Sequence, residues 1–310
     1  MNNELITLTN RSLVLVSGKD SEDFLQSIIT IDLSGNGEEL LSSCFLSPQG
    51  KLLNQFFVKK EGNHFLLDLH KQSLQSFMEK MQIYKLNSDV NFQEKNDLEV
   101  VVCLEKEFQN SFIDPRNKDL GWRGIRKKSS DRSNSDNYEK KKISLGIVEE
   151  GEDFLSGEFF PIELNFDYLN SISFKKGCFI GQEVTSRMYR KGKPKKRVFS
   201  IRSNRNNKQG DDIFLENKKI GTIIKSYENE SVAILKTDVL PKIQKYDGLI
   251  WGGSSLNIYN DTLEIRRQIS FMKECFKNIK KILAICWGMQ VAVTAAGGTV
   301  KKSKNGAHIG

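Results

Sequence analysis

Histidine is scarce in this sequence and its cysteines are unpaired. Of 310 residues only His64, His70 and His308 are histidine, and none stands at zinc-ligand spacing from a cysteine. The five cysteines, Cys44, Cys103, Cys178, Cys275 and Cys286, are odd in number, scattered, and form no Cys-x-x-Cys pair. That pattern argues against a disulfide framework and reads as free thiols in a reducing compartment. No apolar run approaches the ~18 residues of a membrane span. The opening Met1-Asn2-Asn3-Glu4 has no basic stretch followed by an apolar one, so no secretion signal is expected. The expected setting is the cytoplasm, with no membrane partner and no metal site. No internal repeat is visible.

What is present is ordinary for a soluble globular protein, with 38% hydrophobic and 28% charged residues. The chain is long enough for two or three domains with real cores. Its net charge of +8 suits an anionic partner such as nucleic acid or a polyanionic cofactor, and equally a solvated basic surface.

Apolar alternation predicts strands over 5–16, 65–69 and 98–104, and a hairpin with arms 41–46 and 52–58 joined by Ser47-Pro48-Gln49-Gly50. Asp20-Ser21-Glu22 starts a helix, and a second spans Lys71 to Ile83 with Leu74, Phe77, Met78 and Met81 on one face. Residues 126–142 are so polar that they read as an exposed loop, with a helix starting near Tyr138. Four short strands at 198–201, 212–215, 220–226 and 231–235 suggest a small barrel or sandwich. From 245 the order strand, loop, helix, strand, turn, helix is that of an α/β domain.

The octapeptide Lys176-Gly177-Cys178-Phe179-Ile180-Gly181-Gln182-Glu183 is the most informative stretch. It sets a thiol between two glycines, with cations Lys175, Lys176 and Arg187 nearby in sequence to favour thiolate. It resembles the signature of YgfZ-type folate-binding proteins, relatives of the glycine-cleavage T-protein, an aminomethyltransferase. Asp23-Phe24-Leu25-Gln26 with Thr30 and Asp32, Leu46 to Lys51, Asp114-Pro115-Arg116, Leu120 to Arg123, Pro161 to Asn165 and Gly221 to Ser226 extend the resemblance over residues 4–240. Ile31 departs from it, where the family commonly has a polar residue.

The resemblance implies an α+β fold: a T-protein-like ring of α+β modules with a small C-terminal β-barrel. It implies binding of tetrahydrofolate or a derivative, and support of iron–sulfur cluster assembly or repair through assembly machinery or client proteins, with a possible link to tRNA modification. Pterin recognition needs a carboxylate or amide and an apolar slot. Glu163, Asn165, Gln182 and Glu183 are candidates for the first, Phe179 and Trp122 for the second. Seven basic residues in the eleven positions 187–197, led by Arg187, could meet an anionic folate tail or simply face solvent. Phe179 could equally be core, and Glu183 an ion-pair partner. Cys178 could serve as nucleophile, as iron or cluster ligand, or in thiol–disulfide exchange. The T-protein carries an acidic residue where Cys178 falls, so aminomethyl transfer is not expected here.

A second constellation follows. Cys286-Trp287-Gly288-Met289-Gln290 after an apolar strand reads as a nucleophile elbow opening a helix. Gly253 and Trp287 are candidates for an oxyanion hole. This stretch resembles class I glutamine amidotransferases and implies a partial α/β (flavodoxin-like) fragment. Only 24 residues follow Cys286, and the histidine base and its carboxylate are not among them. His308 is not placed to be that base. The segment therefore reads as an incomplete fusion without glutaminase activity of its own, and Cys286 as a vestigial or incomplete nucleophile. The expected domains are 1–195, 196–244 and 245–310. The alternative functions are a glutamine amidotransferase whose missing parts lie elsewhere, and a nucleic-acid-binding module.

Overall fold

A computed structural model describes residues 5–35, 39–130, 134–191, 194–203, 206–239, 249–252, 258, 262–279 and 281–301. They fall into two compact units, Met1–Thr237 and Asp238–Gly310.

The first unit opens with strands β1 (Ile6–Thr7) and β2 (Arg11–Ser17) and helix α1 (Ser21–Ile28). The hairpin follows as β3 (Leu40–Leu46) and β4 (Leu52–Glu61), then β5 (His64–His70), α2 (Leu74–Tyr84) and β6 (Asn91–Glu94). Five of these strands form one antiparallel sheet in the order β3-β4-β5-β2-β6. Both faces are covered, and the period-two alternation of strand side chains splits them between two cores. Val14 and Val16 of β2 and Phe65, Leu67 and Leu69 of β5 pack under α1 and α2 with Phe24, Leu25, Phe77 and Met81. Leu13 and Leu66 point the other way, into a larger core with Val100, Val102, Leu164 and Phe166.

That larger core is closed by a second antiparallel sheet. It joins β1 to β7 (Leu98–Cys103), β8 (Ser111–Ile113) and β9 (Trp122–Lys127) in the order β1-β7-β9-β8. The polar stretch read as loop is partly structured. Residues 122–127 are β9, and helix α3 (Asp136–Ser144) buries Tyr138, Lys142 and Ile143. The reason is electrostatic. Lys142 Nζ meets Glu149 at 3.1 Å and Glu152 at 3.2 Å, and Tyr138 Oη accepts a hydrogen bond from Arg116 at 2.9 Å. Polar residues can be buried when their charges are paired. The same network holds Arg123 and Arg11 on Asp68 and Arg116 on Asp114. The three guanidinium groups surround the Phe57 ring, with that of Arg123 4.0 Å from its centroid.

After helix α4 (Gln182–Lys191) come β10 (Lys196–Arg202), β11 (Asp212–Leu215), β12 (Lys218–Tyr227) and β13 (Glu230–Lys236). They form a four-stranded antiparallel sheet in the order β10-β13-β12-β11. A small barrel is expected from the sequence. Among the described residues the edge strands β10 and β11 do not pair, so the sheet stays open. The second unit holds β14 (Leu249–Trp251) and β15 (Ile282–Ala284), paired in parallel, with helices α5 (Leu263–Asn278) and α6 (Trp287–Ala295). Ile265, Met272 and Cys275 of α5 pack against Trp287, Val291 and Ala295 of α6. This is the α/β order read from the sequence. Among the described residues no helix is long and apolar enough to cross a membrane.

Candidate functional site

The octapeptide is a short span between two anchors, leading into α4. Lys176 is buried, with its Nζ donating to the carbonyls of Ile29 at 2.7 Å and Ile31 at 2.8 Å. Burial pulls the amine's pKa down to about 8, and the nearby Asp32 only partly offsets it. The sequence places this cation beside the thiol. The structure spends it on two carbonyls instead. The Lys176 backbone is tied at both ends, its N–H donating to Ser173 Oγ and its carbonyl accepting from Gln182 Nε2. Phe179 is the second anchor, buried in the larger core, with its ring centroid 5.7 Å from Lys176 Nζ. Between the anchors, Gly177 and Cys178 are exposed. All five cysteines are free, and Cys44, Cys103 and Cys275 are buried.

The second glycine of the octapeptide is the one geometry demands. Gly181 has φ +80, and a Cβ there would stand 2.7 Å from the Ser47 carbonyl oxygen. Gly177 has no neighbour within 4 Å of such a Cβ. Gly181 therefore permits close packing on the Ser47–Gly50 turn, and its carbonyl accepts from Thr185 at the start of α4. Phe174, just before the octapeptide, stacks on Tyr189 of α4 with ring centroids 3.6 Å apart.

A chain of hydroxyls runs behind it. Thr30 Oγ1 donates to the Ser171 carbonyl at 2.6 Å, Ser42 and Ser171 share a hydrogen bond of 2.7 Å, and Ser173 N–H donates to the Thr30 carbonyl. One of them, Ser42, lines an open cleft of about 580 Å³. Its lining includes Ile31, Leu40, Ser42, Phe112, Ile113 and Asn170. Lys118 and Glu39 bring charges of opposite sign to it. Asp114 also lines it, but its carboxylate is held by Arg116.

The candidate ligands chosen from sequence lie elsewhere. Glu163 Oε2 accepts from Phe160 N–H, and its own carbonyl accepts from Val198 N–H. Asn165 donates to the Val198 carbonyl and accepts from Arg197. Arg197 forms a paired contact with Asp167 at 2.7 Å and is spent there. Glu163 and Asn165 thus fasten β10 to the preceding turns. Gln182 is tied to Lys176, and Glu183 is exposed on α4. None of these four, nor Phe179, lines the cleft. Arg187, Arg190 and Lys191 of α4 and Lys195 and Lys196 are exposed, and among the described residues none has an ion-pair partner. Among the described residues no three His, Cys, Asp or Glu side chains group as a metal site. The cleft residues escaped the sequence reading because they come from four separate segments. The Asp114-Pro115-Arg116 motif and the departure at Ile31 were two features of the sequence that fell there.

In the second unit, Cys286 has φ +54 and ψ −112 and stands exposed just before α6. Gly288 sits where a Cβ would lie 2.4 Å from the Trp251 carbonyl oxygen, and its N–H donates to the Gly252 carbonyl. The elbow expected from the sequence is therefore present. The Trp287 side chain is core, with Nε1 donating to Gln268 Oε1 at 2.7 Å. Gly253 and His308 lie outside the described residues.

The family model of class-I glutamine amidotransferases matches residues 215–310. An iron–sulfur cluster assembly factor IBA57 homologue of Mycosarcoma maydis, named mitochondrial, is 28% identical over 228 residues, covering 64% of this chain and 57% of that protein. IBA57 of Mus musculus is 26% identical over 232 residues, covering 63% and 65%. The chain spans somewhat more than half the length of the curated relatives it matches first. Aminomethyltransferase T of the Bartonella henselae glycine cleavage system superposes with a TM-score of 0.61 at 13% identity, covering 76% of this chain and 78% of that one. The chain is thus similar in sequence to IBA57 iron–sulfur cluster assembly factors and similar in fold to aminomethyltransferase T, with a class-I glutamine amidotransferase match at its C-terminal end.

Proposed function

We propose that this chain is a cytoplasmic folate-binding accessory protein for iron–sulfur cluster assembly or repair, with the cleft as its folate site and Cys178 as its functional thiol. The observation that carries the reading is the cleft of about 580 Å³, whose wall residue Ile31 is tied directly to the octapeptide. Its residues fit a folate. Leu40, Phe112 and Ile113 offer an apolar face for a flat ring, and Ser42 and Asn170 offer hydrogen-bonding edges. Lys118 supplies a cation for the glutamate end. The partners are the iron–sulfur assembly machinery or its clients, and any effect on tRNA modification follows from that role. The matched relatives are named as iron–sulfur cluster assembly factors of mitochondria. A methylene transferase needs a carboxylate to hold the amine, and here a thiol takes that place, so aminomethyl transfer is not part of the reading.

Calorimetric titration with 5-formyltetrahydrofolate tests the site. Ile113 is half exposed on the cleft wall, so Ile113→Glu should leave the fold intact. It should weaken binding by about tenfold or more, by adding an anion to the apolar face. Absence of binding to the unmodified chain, or equal binding by the variant, overturns the folate reading. Binding of RNA at that site instead would favour the nucleic-acid module. A second reading, glutamine hydrolysis, rests on the elbow at Cys286.

A further inference from the structure

Lys176 is a buried amine whose Nζ acceptors are the carbonyls of Ile29 and Ile31; Asp32 acts on it only through its charge, with no ion pair between them among the described residues. Removing an ammonium from water is expensive when only neutral carbonyls receive it. An apolar residue would fill the same space without that cost. What the amine supplies is geometric. It grips two carbonyls on either side of Thr30, in the segment between α1 and β3, from a chain position two residues before Cys178.

Ile31 has two roles in this arrangement. Its side of the segment lines the cleft, and its carbonyl accepts from Lys176. Lys176 in turn bounds the exposed Gly177–Cys178 span, whose other end is the buried Phe179. A Cβ on Gly177 would meet nothing within 4 Å and both span residues are exposed, so the span takes its position from the two anchors. Phe179 is fixed in the core, while Lys176 hangs on a segment that forms cleft wall. The departure of Ile31 from the polar residue common in the resembling family falls at this junction.

We propose that Lys176 is a positioning residue that couples occupancy of the cleft to the reactivity of Cys178, acting through the Ile31 carbonyl. The coupling rests on the reading that a folate fills the cleft. A ligand against Ile31 shifts or stiffens its carbonyl, the amine follows, and the Gly177–Cys178 span moves with it. Ser42, Ser171, Thr30 and Ser173 form a second connection from cleft to span, ending on the Lys176 backbone rather than its amine. A variant that removes only the amine separates the two routes.

The test is the rate of iodoacetamide labelling of Cys178, read on its own peptide by mass spectrometry, with and without saturating 5-formyltetrahydrofolate. In the unmodified chain the folate should change that rate by at least about fivefold. In Lys176→Met the change should vanish although calorimetry still shows binding, and Lys176→Arg, which keeps donors for both carbonyls, should restore it. An unchanged rate in the unmodified chain with folate bound, or full coupling in Lys176→Met, overturns the inference. If no folate binds, the folate reading fails, and the unliganded rates decide the positioning role. A faster or slower Cys178 in Lys176→Met supports it, and an equal rate overturns it. Should Lys176→Met not fold, hydrogen exchange at residues 177–180 of the unmodified chain replaces it. Protection that does not respond to bound folate then overturns the coupling.

Discussion

Gly50 and Gly181 meet back to back. A Cβ on Gly181 would stand 3.0 Å from the Gly50 Cα, and one on Gly50 would stand 2.9 Å from Val184 Cβ. Both residues have positive φ, +79 and +80, so the hairpin turn and the start of α4 are each shaped for the other. Gly181→Ala should therefore combine left-handed backbone strain with overpacking and cost about 2–4 kcal/mol. Gly177→Ala, with open space around it and no positive φ, should stay within about 0.5 kcal/mol of the parent. Urea denaturation of the two variants side by side checks this. Equal effects would mean that the octapeptide glycines are not distinguished by packing.

The charge network predicts an acid limb with two opposed contributions. Glu149 is buried, which by itself would raise its pKa, yet Lys142, Arg116 and Arg11 hold it well below the usual carboxylate range. Its stabilising effect is full above the ordinary value of 4.5 and is lost as pH falls through the depressed folded value. Asp153 runs the other way. Burial pushes it up to about 6, against the pull of Lys225 and Lys142. Its neutral form is favoured in the folded state, so its contribution is present below the ordinary 3.8 and is lost as pH rises towards 6. Asp153→Asn should make stability rise more steeply with pH between about pH 4 and 6, measured as urea midpoints across that range. Glu149→Gln should cost about 3–5 kcal/mol at neutral pH, because it leaves Arg116 and Lys142 buried and short of an anion.

Elements with strong periodicity were legible. The hairpin, α1, α2, the four strands of the later sheet and the β-α-β-α order of the second unit all stand where alternation and capping place them. What escaped was tertiary. Strands β6, β8 and β9 are short or polar, and their pairing partners define them more than their own residues do. The polar 126–142 stretch looked unburiable until Glu149, Glu152 and Asp153 were brought to Lys142 and Lys225. The octapeptide is one linear stretch, whereas the cleft is assembled from residues 31, 39–42, 112–115, 117, 118 and 170. A linear motif carries no signal for such an assembly. Glu163 and Asn165 are partly buried and serve the turns before β10 with the same amide and carboxylate atoms that a pterin would need.

Thiol accessibility separates the cysteines cleanly. Cys178 and Cys286 are exposed, while Cys44, Cys103 and Cys275 are buried. Burial also pushes the Cys44 thiol far up, which removes its thiolate as well as its access. Native-state alkylation should therefore mark two sites quickly, and the other three only with denaturant. Rapid labelling of Cys44 or Cys103 would show that the first unit opens more readily than its packing implies. Replacing Cys178 with alanine should leave stability within about 0.5 kcal/mol, since the side chain is solvent-facing. If the thiol is functional, that variant should fail to restore iron–sulfur enzyme activity in cells lacking the protein, and full restoration would sink any role for the thiol.

Cys286 offers the sharpest contrast between stability and chemistry. Its φ of +54 with ψ −112 is a conformation glycine adopts freely and side-chain-bearing residues resist. Strain at an exposed thiol ahead of a helix is what an elbow nucleophile requires, and it should be recoverable. Cys286→Gly should stabilise the second unit by about 1 kcal/mol, and Cys286→Val should destabilise it by at least as much. The thiol should nevertheless be idle in this chain. A cysteine nucleophile needs a histidine base within hydrogen-bond reach. Among the described residues of the second unit, which holds Cys286, there is no histidine. Glutamine incubated with the chain should release no more ammonia than with Cys286→Gly. Ammonia release that the glycine variant abolishes would mean that a base reaches Cys286 and that the amidotransferase segment is active.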